Sequence, residues 1–268
     1  QLILHISNTC LVFIVLKKFI GEKLAFYISL LFLVHPMNVE SVVYISALGE
    51  PLFFFFGMSA FILYLKDKVT LKRYITISFL LLCSLLSKET GILFCLLLLL
   101  YYFLFKKKSY SETTKTVSSV VMPIVVYLFL RFSVAKVYME RVPDIPMMTA
   151  SLVERILTMP AIFLFYIKTF FFPKDLFIYQ QWTVFNIDSD FYLPLFIDII
   201  SLSSIVGIGI WLWQTNKKHI APFLFFTLWF LFGIGLHSQV VPLDFTVADR
   251  YFYFPMIGLL GLIGIGFH

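Results

Sequence analysis

Apolar runs separated by short polar segments recur along the whole chain, and several approach the ~20 residues with which an α-helix crosses a bilayer. Strands of outer-membrane barrels would instead alternate apolar and polar residues, and the run from Leu96 to Phe105 does not alternate. The pattern predicts an all-α fold, a polytopic transmembrane helical bundle with short outer-face loops and interfacial helices. We predict a single transmembrane domain over residues 1–268 with nine spans: Leu2–Leu16, Leu24–Val34, Leu52–Leu65, Tyr74–Leu86, Gly91–Phe105, Val117–Ala135, Tyr192–Trp213, Ile220–Leu236 and Tyr253–Phe267.

Composition supports this class, because the chain is 60% hydrophobic with a mean hydropathy of +0.94, whereas soluble domains are only about half apolar. The net charge of +6 does not indicate nucleic acid, since the basic residues collect between apolar runs as they do in cytoplasmic loops. We predict that four basic segments are cytoplasmic: Lys17, Lys18 and Lys23; Lys66, Lys68, Lys72 and Arg73; Lys106, Lys107 and Lys108; Lys217 and Lys218.

Cysteines and chain ends give little further chemistry. The three cysteines lie within apolar stretches without metal-ligand spacing, so we interpret them as packing residues and expect no metal and no cofactor. The chain shows no cleavable signal segment, and Gln1 already lies inside an apolar run. We therefore expect a fragment that is incomplete at its N-terminus and also at its C-terminus.

The alternation of spans places four segments on the outer face: His35–Glu50, Ser87–Thr90, Lys136–Glu154 and His237–Phe252. The stretch from Ile156 to Phe172 does not fit this scheme. A complete crossing there would put Lys217 and Lys218 outside and would put a loop containing Asp175, Asp188 and Asp190 in the cytoplasm. We therefore predict that Ile156–Phe172 is re-entrant or interfacial.

The segment "LLSKETGILF" contains Lys88 and Glu89 in an otherwise apolar run. Basic segments bound both ends of Tyr74–Phe105, which predicts a hairpin that turns at these residues. Each arm of ~14 or 15 residues is roughly 21 Å long, shorter than the ~30 Å hydrocarbon core. The turn should lie below the outer surface, where an unpaired charge costs at least ~2.5 kcal/mol. Lys88 and Glu89 therefore need partners or a water-filled cavity, and we favour separate partners because adjacent helical residues do not face each other.

Two other outer segments carry unusual polar residues. Glu40 and Glu50 are ten residues apart, and on a continuous helix their carboxylates would lie within about 80° of each other. His35, before Pro36, has an equally good structural interpretation as a helix end, and Glu50 as a favourable first-turn acid. Arg250 and Asp249 form either part of a site or an interfacial charge pair beside an aromatic belt that includes Tyr251.

These residue types suit an anionic lipid headgroup. Lys88 offers a point charge and Arg250 a bidentate fork, and both arrangements bind phosphate. Neighbouring carboxylates would transfer protons or hold sugar hydroxyls. The residues alone therefore indicate a pocket for a lipid-linked phosphate that carries a polar head group.

Three motifs in order, "HPMNVESVVYISALGE", "LLSKETGI" and "ADRYFYFPMIG", resemble the membrane half of the transmembrane and tetratricopeptide-repeat-containing O-mannosyltransferases and their bacterial relatives. The start, "LILHISNTCLVF", is similar to that family's second span, and "FFFPKDLFIY" to its segment containing Pro and Leu. The resemblance implies a GT-C-type fold in which a mannose-like sugar passes, with inversion, from a polyprenyl-phosphate donor to a hydroxyl acceptor such as a protein Ser or Thr. Such a chain would lie in a bacterial inner membrane or its equivalent, with membrane lipid, the donor and a protein acceptor as partners.

On matching positions the resemblance implies that Glu40 and Glu50 are catalytic residues and that Lys88 and Arg250 bind the donor phosphate. Supporting roles fall to four further residues: His35, Glu89, Asp249 and Tyr251. Leu48 stands where the family often has Arg. The acidic first outer loop and its principal base would precede Gln1, and no tetratricopeptide repeat is present, so we expect this segment alone to be inactive.

Two other classes of protein stay open. Intramembrane ionisable residues also mark transport pathways, so a transporter or flippase of a charged lipid or solute is the main alternative. It predicts charges near the membrane midplane and paired repeats. A non-catalytic module that recruits partners predicts only scattered, separately solvated charges.

Overall fold

A computed structural model describes residues 1–66, 70–106, 109–137, 145–174 and 176–267. Lys68, Lys107, Lys108 and Asp175, which entered the topology prediction, lie outside these ranges. The described residues form an all-α fold, as predicted, and their one β-type pairing is an isolated bridge between Gln180 and Val247. Twelve α-helices occur in these ranges: α1 Leu2–Ile20, α2 Glu22–Val34, α3 Val39–Val43, α4 Gly49–Tyr64, α5 Leu71–Ser87, α6 Ile92–Phe105, α7 Tyr110–Phe129, α8 Pro146–Thr149, α9 Leu152–Phe171, α10 Ser189–Thr215, α11 Ile220–Leu236 and α12 Pro255–Gly266.

The chain is an integral membrane protein. In the part that the structure describes, five helical segments are long and apolar enough to cross a bilayer: Leu2–Ile20, Ile45–Tyr64, Tyr110–Val134, Ser189–Thr215 and Lys217–Leu236. A sixth is obtained if Glu22–Val34 and Pro36–Val43, which are bent by 53°, count as one span. Each of the nine predicted spans coincides with an observed helix, but α6 and α12 have only 14 and 12 residues.

Helix α9 occupies the segment predicted to be re-entrant or interfacial. It is one helix of 20 residues that begins with a capping box between Ser151 and Glu154. At 1.5 Å per residue its length is ~30 Å, enough to cross the hydrocarbon core. It is not among the long apolar helices, and its sequence carries Glu154, Arg155 and Lys168.

The helices divide between two compact units. The first unit comprises Gln1–Val34, Ser41–Met139 and Ile263–His268. In its interior, the rings of Phe53 and Phe54 on α4 pack against Phe94 on α6. A Cβ atom on Gly57 would lie 2.0 Å from the Phe94 ring, so this close packing requires glycine. Side-chain hydrogen bonds also link the helices, because Ser84 donates to the Phe53 carbonyl at 2.8 Å.

The predicted break at Lys88 occurs in this unit. Lys88 ends α5 in an extended conformation, with φ −163° and ψ 143°, and residues Glu89–Gly91 then form a short 3₁₀ turn. A Cβ atom on Gly91 would lie 2.6 Å from the backbone of Ser84. Glycine therefore lets the turn fold back onto the last residues of α5 before α6 begins.

The second unit comprises His35–Glu40 and Glu140–Leu262. Its core contains Trp229 on α11, whose indole N–H donates to the Phe254 carbonyl at 3.1 Å. A Cβ atom on Gly258 would lie 2.4 Å from the backbone nitrogen of Phe230, so α12 contacts the α11 backbone directly. Helix α10 is much less buried, because the protein buries only 11% of its most apolar stretch of 18 residues.

Candidate functional site

His35 is a structural cap in the second unit. Its Nδ1 accepts a hydrogen bond from the Met37 backbone N–H at 3.3 Å, and its Nε2 lies 3.1 Å from the Phe170 carbonyl oxygen. The ring also stacks on Phe170, with centroids 4.8 Å apart. Because a carbonyl oxygen only accepts, Nε2 carries the proton and Nδ1 is the acceptor. Both ring nitrogens are thus occupied by backbone, which agrees with the interpretation of His35 as a helix end.

Glu40 and Arg250 form a buried ion pair in the second unit. One carboxylate oxygen of Glu40 accepts from the Arg250 backbone N–H at 2.8 Å, and the other accepts from its guanidinium. The guanidinium lies 5.3 Å from the ring centroids of both Phe245 and Tyr251. These rings shield the pair from solvent and add cation–π attraction.

Asp249 precedes Arg250 at the start of a 3₁₀ helix, Asp249–Phe252, outside the long apolar helices. Its Oδ2 accepts from the Phe177 N–H at 3.0 Å, whereas its buried Oδ1 has no hydrogen-bond partner among the described residues. Burial raises the pKa of Asp249 to about 7, and the charge of Glu40 acts in the same direction. Asp249 is therefore a buried acid that exchanges a proton near neutral pH.

Tyr251 lies against the aromatic wall of the same cluster. Its ring stacks on His237 with centroids 4.5 Å apart, and it also contacts the Arg250 guanidinium. Helix α9 contributes Tyr166, whose hydroxyl lies 3.3 Å from both the N–H and the carbonyl oxygen of Ala248. The backbone that presents Asp249 and Arg250 is therefore held in place by neighbouring aromatic side chains.

Glu50 and Lys88 form a second ion pair, within the first unit. Glu50 lies in the first turn of α4 and Lys88 follows the last residue of α5, so the pair links two helix ends. Glu89 instead lies 3.9 Å from Arg131 and is exposed. The prediction of separate partners for Lys88 and Glu89 is confirmed.

The continuous helix on which Glu40 and Glu50 would share one face does not form. Helix α3 ends at Val43, Tyr44 leaves the helical region with ψ 114°, and a 3₁₀ turn precedes α4. The two carboxylates accordingly belong to different units and bind different cations.

Asp198 was missed by reasoning from the sequence. It lies in the middle of α10, it is buried, and its Oδ1 has no hydrogen-bond partner in the described ranges. A single acid within the apolar run Tyr192–Trp213 was the available signal. Among the described residues no group of three or more His, Cys, Asp or Glu side chains is arranged to hold a metal.

The fold and these clusters define a polytopic helical membrane protein in which ion pairs join Glu40 to Arg250 and Glu50 to Lys88. Comparison of the chain with protein-family models, with curated proteins and with solved structures finds no match.

Proposed function

We propose that the chain is the membrane part of a glycosyltransferase that moves a mannose-like sugar from a polyprenyl phosphate to a hydroxyl acceptor, such as a protein Ser or Thr. One observation carries the proposal. Four ionisable residues of the three motifs form acid–base pairs near the ends of helices, Glu40 with Arg250 and Glu50 with Lys88. A transporter would instead be expected to place such residues near the membrane midplane.

The Glu40–Arg250 pair suits the chemistry of this transfer. A phosphate competes with a carboxylate for the same guanidinium fork, so donor binding at Arg250 would release Glu40. Glu40 would then accept the proton of the acceptor hydroxyl while the acceptor oxygen bonds to the anomeric carbon. The bond from that carbon to the phosphate oxygen breaks, and its electron pair leaves on the lipid phosphate, whose charge Arg250 stabilises.

The other proposed features follow from the family resemblance. The site faces outside the cytoplasm of a bacterial inner membrane or its equivalent, the polyprenyl-phosphate sugar is the donor substrate with no cofactor, and the reaction inverts the anomeric carbon. Lys88 remains a proposed phosphate ligand in the first unit, and the exposed Glu89 a supporting residue.

The test is sugar transfer by the full-length protein in liposomes, supplied with radiolabelled polyprenyl-phosphate mannose and a Ser/Thr peptide. Glu40→Gln keeps an acceptor for the Arg250 backbone N–H but removes the base, and should lower turnover about 100-fold or more. Lys88→Met should mainly raise the donor KM. Lys17→Met is the matched control, because it removes one lysine from an exposed ion pair with Glu22. Transfer unchanged by Glu40→Gln and Lys88→Met would remove both residues from the mechanism.

Asp198 favours a second candidate, the transport of a charged lipid or solute. It is a buried ionisable residue in the middle of a long apolar helix, which is where transport pathways place such groups. Translocation of a fluorescent polyprenyl phosphate across liposomes, lost in Asp198→Asn, would support this candidate. If the protein transfers sugar and Asp198→Asn leaves that transfer unchanged, the transport candidate is excluded.

A further inference from the structure

The segment 177–184, part of the connection between α9 and α10 and outside the long apolar helices, pairs at Gln180 and Trp182 with Thr246 and Val247. The Gln180 N–H donates to the Val247 carbonyl at 2.9 Å, and the Thr246 N–H donates to the Gln180 carbonyl at 3.0 Å. Trp182 donates its N–H to the Thr246 hydroxyl oxygen at 3.0 Å and accepts that hydroxyl's proton at 2.7 Å. One edge of the segment is thus paired at Gln180 and Trp182.

The opposite edge of the segment is open. In extended backbone, successive residues direct their N–H and C=O groups to opposite sides. Gln180 and Trp182 face the paired side, so Tyr179 and Gln181 face away from it. The backbone N–H and C=O groups of Tyr179 and Gln181 have no hydrogen-bond partner in the part of the chain that the structure describes. Both residues are also exposed, Tyr179 by 51%.

Contacts at both ends hold this edge in place. The Phe177 N–H donates to Asp249 at 3.0 Å, and the Val184 N–H donates to the Thr158 hydroxyl at 3.1 Å. The Tyr179 ring stacks on Phe245, with centroids 4.3 Å apart. An extended segment with fixed ends and unpaired backbone groups is a template to which another strand adds.

We propose that the edge formed by Tyr179 and Gln181 binds an extended stretch of polypeptide by strand addition. Backbone hydrogen bonds would supply the affinity, and the exposed side chains of Leu176, Phe177 and Ile178 beside the edge favour apolar side chains in the bound peptide. The inference rests on the proposed function in one respect, because it makes the bound peptide the acceptor of the sugar. Peptide binding itself requires no donor, so the two are measured separately.

The test is fluorescence anisotropy of the labelled peptide Thr-Val-Thr-Val-Thr-Val with the full-length protein in nanodiscs, without any donor. Gln181→Pro removes the outward N–H, and an edge position whose N–H faces solvent tolerates proline. Gln181→Ala is the matched control, because it removes the same side chain and its bond to the Asp244 carbonyl but keeps the N–H. Affinity should fall about three- to tenfold in Gln181→Pro and stay within about twofold in Gln181→Ala.

A second measurement uses the same peptide N-methylated at alternate residues, which removes its donors without changing its side chains. It should bind about tenfold more weakly to the unaltered protein. Any of three results would overturn the inference. The two peptides could bind with equal affinity, the two Gln181 variants could lose equal affinity, or the peptide could bind only to the nanodisc lipid and not to the protein. Peptide bound by the edge without any sugar transfer would overturn the proposed function alone, and transfer without edge binding would overturn the inference alone.

Discussion

In the first unit Lys88 meets Glu50 through one ammonium group, whereas in the second unit Arg250 meets Glu40 through both its guanidinium and its backbone N–H. The Lys88 side chain is 21% exposed and that of Arg250 is 13% exposed, while both glutamate side chains are 4% exposed. Two aromatic rings also enclose Arg250. The Glu40–Arg250 pair is therefore more deeply buried than the Glu50–Lys88 pair. Substitutions there will affect folding and chemistry together, and those at Lys88 should report mainly on chemistry.

The largest effect is expected for Arg250→Ala. It leaves the Glu40 carboxylate buried without its cation, which should lower the free energy of unfolding by about 3–5 kcal/mol. Arg250→Lys keeps the charge but loses the fork, and should cost less. Denaturant unfolding in a mild detergent, followed by tryptophan fluorescence, measures both. Arg250→Ala with the stability of the unaltered protein would mean that the pair does not hold the second unit together.

Asp249, next to Arg250, should give a pH-dependent effect. Raising its pKa by about three corresponds to about 4 kcal/mol, which solvent screening reduces to about 2 kcal/mol. Its folded-state pKa of about 7 is above the ordinary value of 3.8, so the folded state binds the proton more tightly than the unfolded state. The resulting stabilisation is complete below pH ~4, is lost as the pH rises to about 7, and stays lost above that pH. Unfolding midpoints from pH 4 to 8 should therefore decline more steeply for the unaltered protein than for Asp249→Asn. Parallel curves for the two proteins would contradict the prediction.

Lys88→Met should have the smallest of the three effects, a loss of about 1–2 kcal/mol, because water reaches Lys88 and partly screens Glu50 when it is left alone. Glu50→Gln in the same chain should restore most of the loss by removing the unpaired charge. A double-mutant cycle over the two positions measures their coupling. Coupling as strong as that between Glu40 and Arg250 would erase the distinction drawn between the two pairs.

The positions of the helices could be predicted from the sequence, because a bilayer requires apolar side chains and an internally hydrogen-bonded backbone over each span. The break at Lys88 was also predictable, since its charges interrupt an apolar stretch that basic segments bound on both sides. These features depend on neighbours in the chain. For that reason local patterns located the ends of the spans to within about four residues, except that α7 begins at Tyr110 and not at Val117.

The ion pairs could not be predicted from the sequence in the same way. Glu40 and Arg250 are 210 residues apart in the chain, and Glu50 and Lys88 are 38 apart, so no local pattern connects them. The assumption of one continuous helix from Glu40 to Glu50 failed because Tyr44 adopts an extended conformation between them. The bridge between Gln180 and Val247 could not be predicted from a local pattern, because two further helices separate these residues in the chain.

The contrast between α10 and α6 has a consequence for the lipids around the protein. With 27 residues, α10 is ~40 Å long, and with 14 residues α6 is ~21 Å long. A hydrocarbon core of ~30 Å matches neither helix: α10 would accommodate the difference by tilting, whereas the protein itself buries half of the residues of α6. Since most residues of α10 are not buried by the protein, acyl chains cover the rest of its surface. Lipid chain length is therefore part of what sets the stability of this protein, and short-chain and long-chain bilayers will stress different helices.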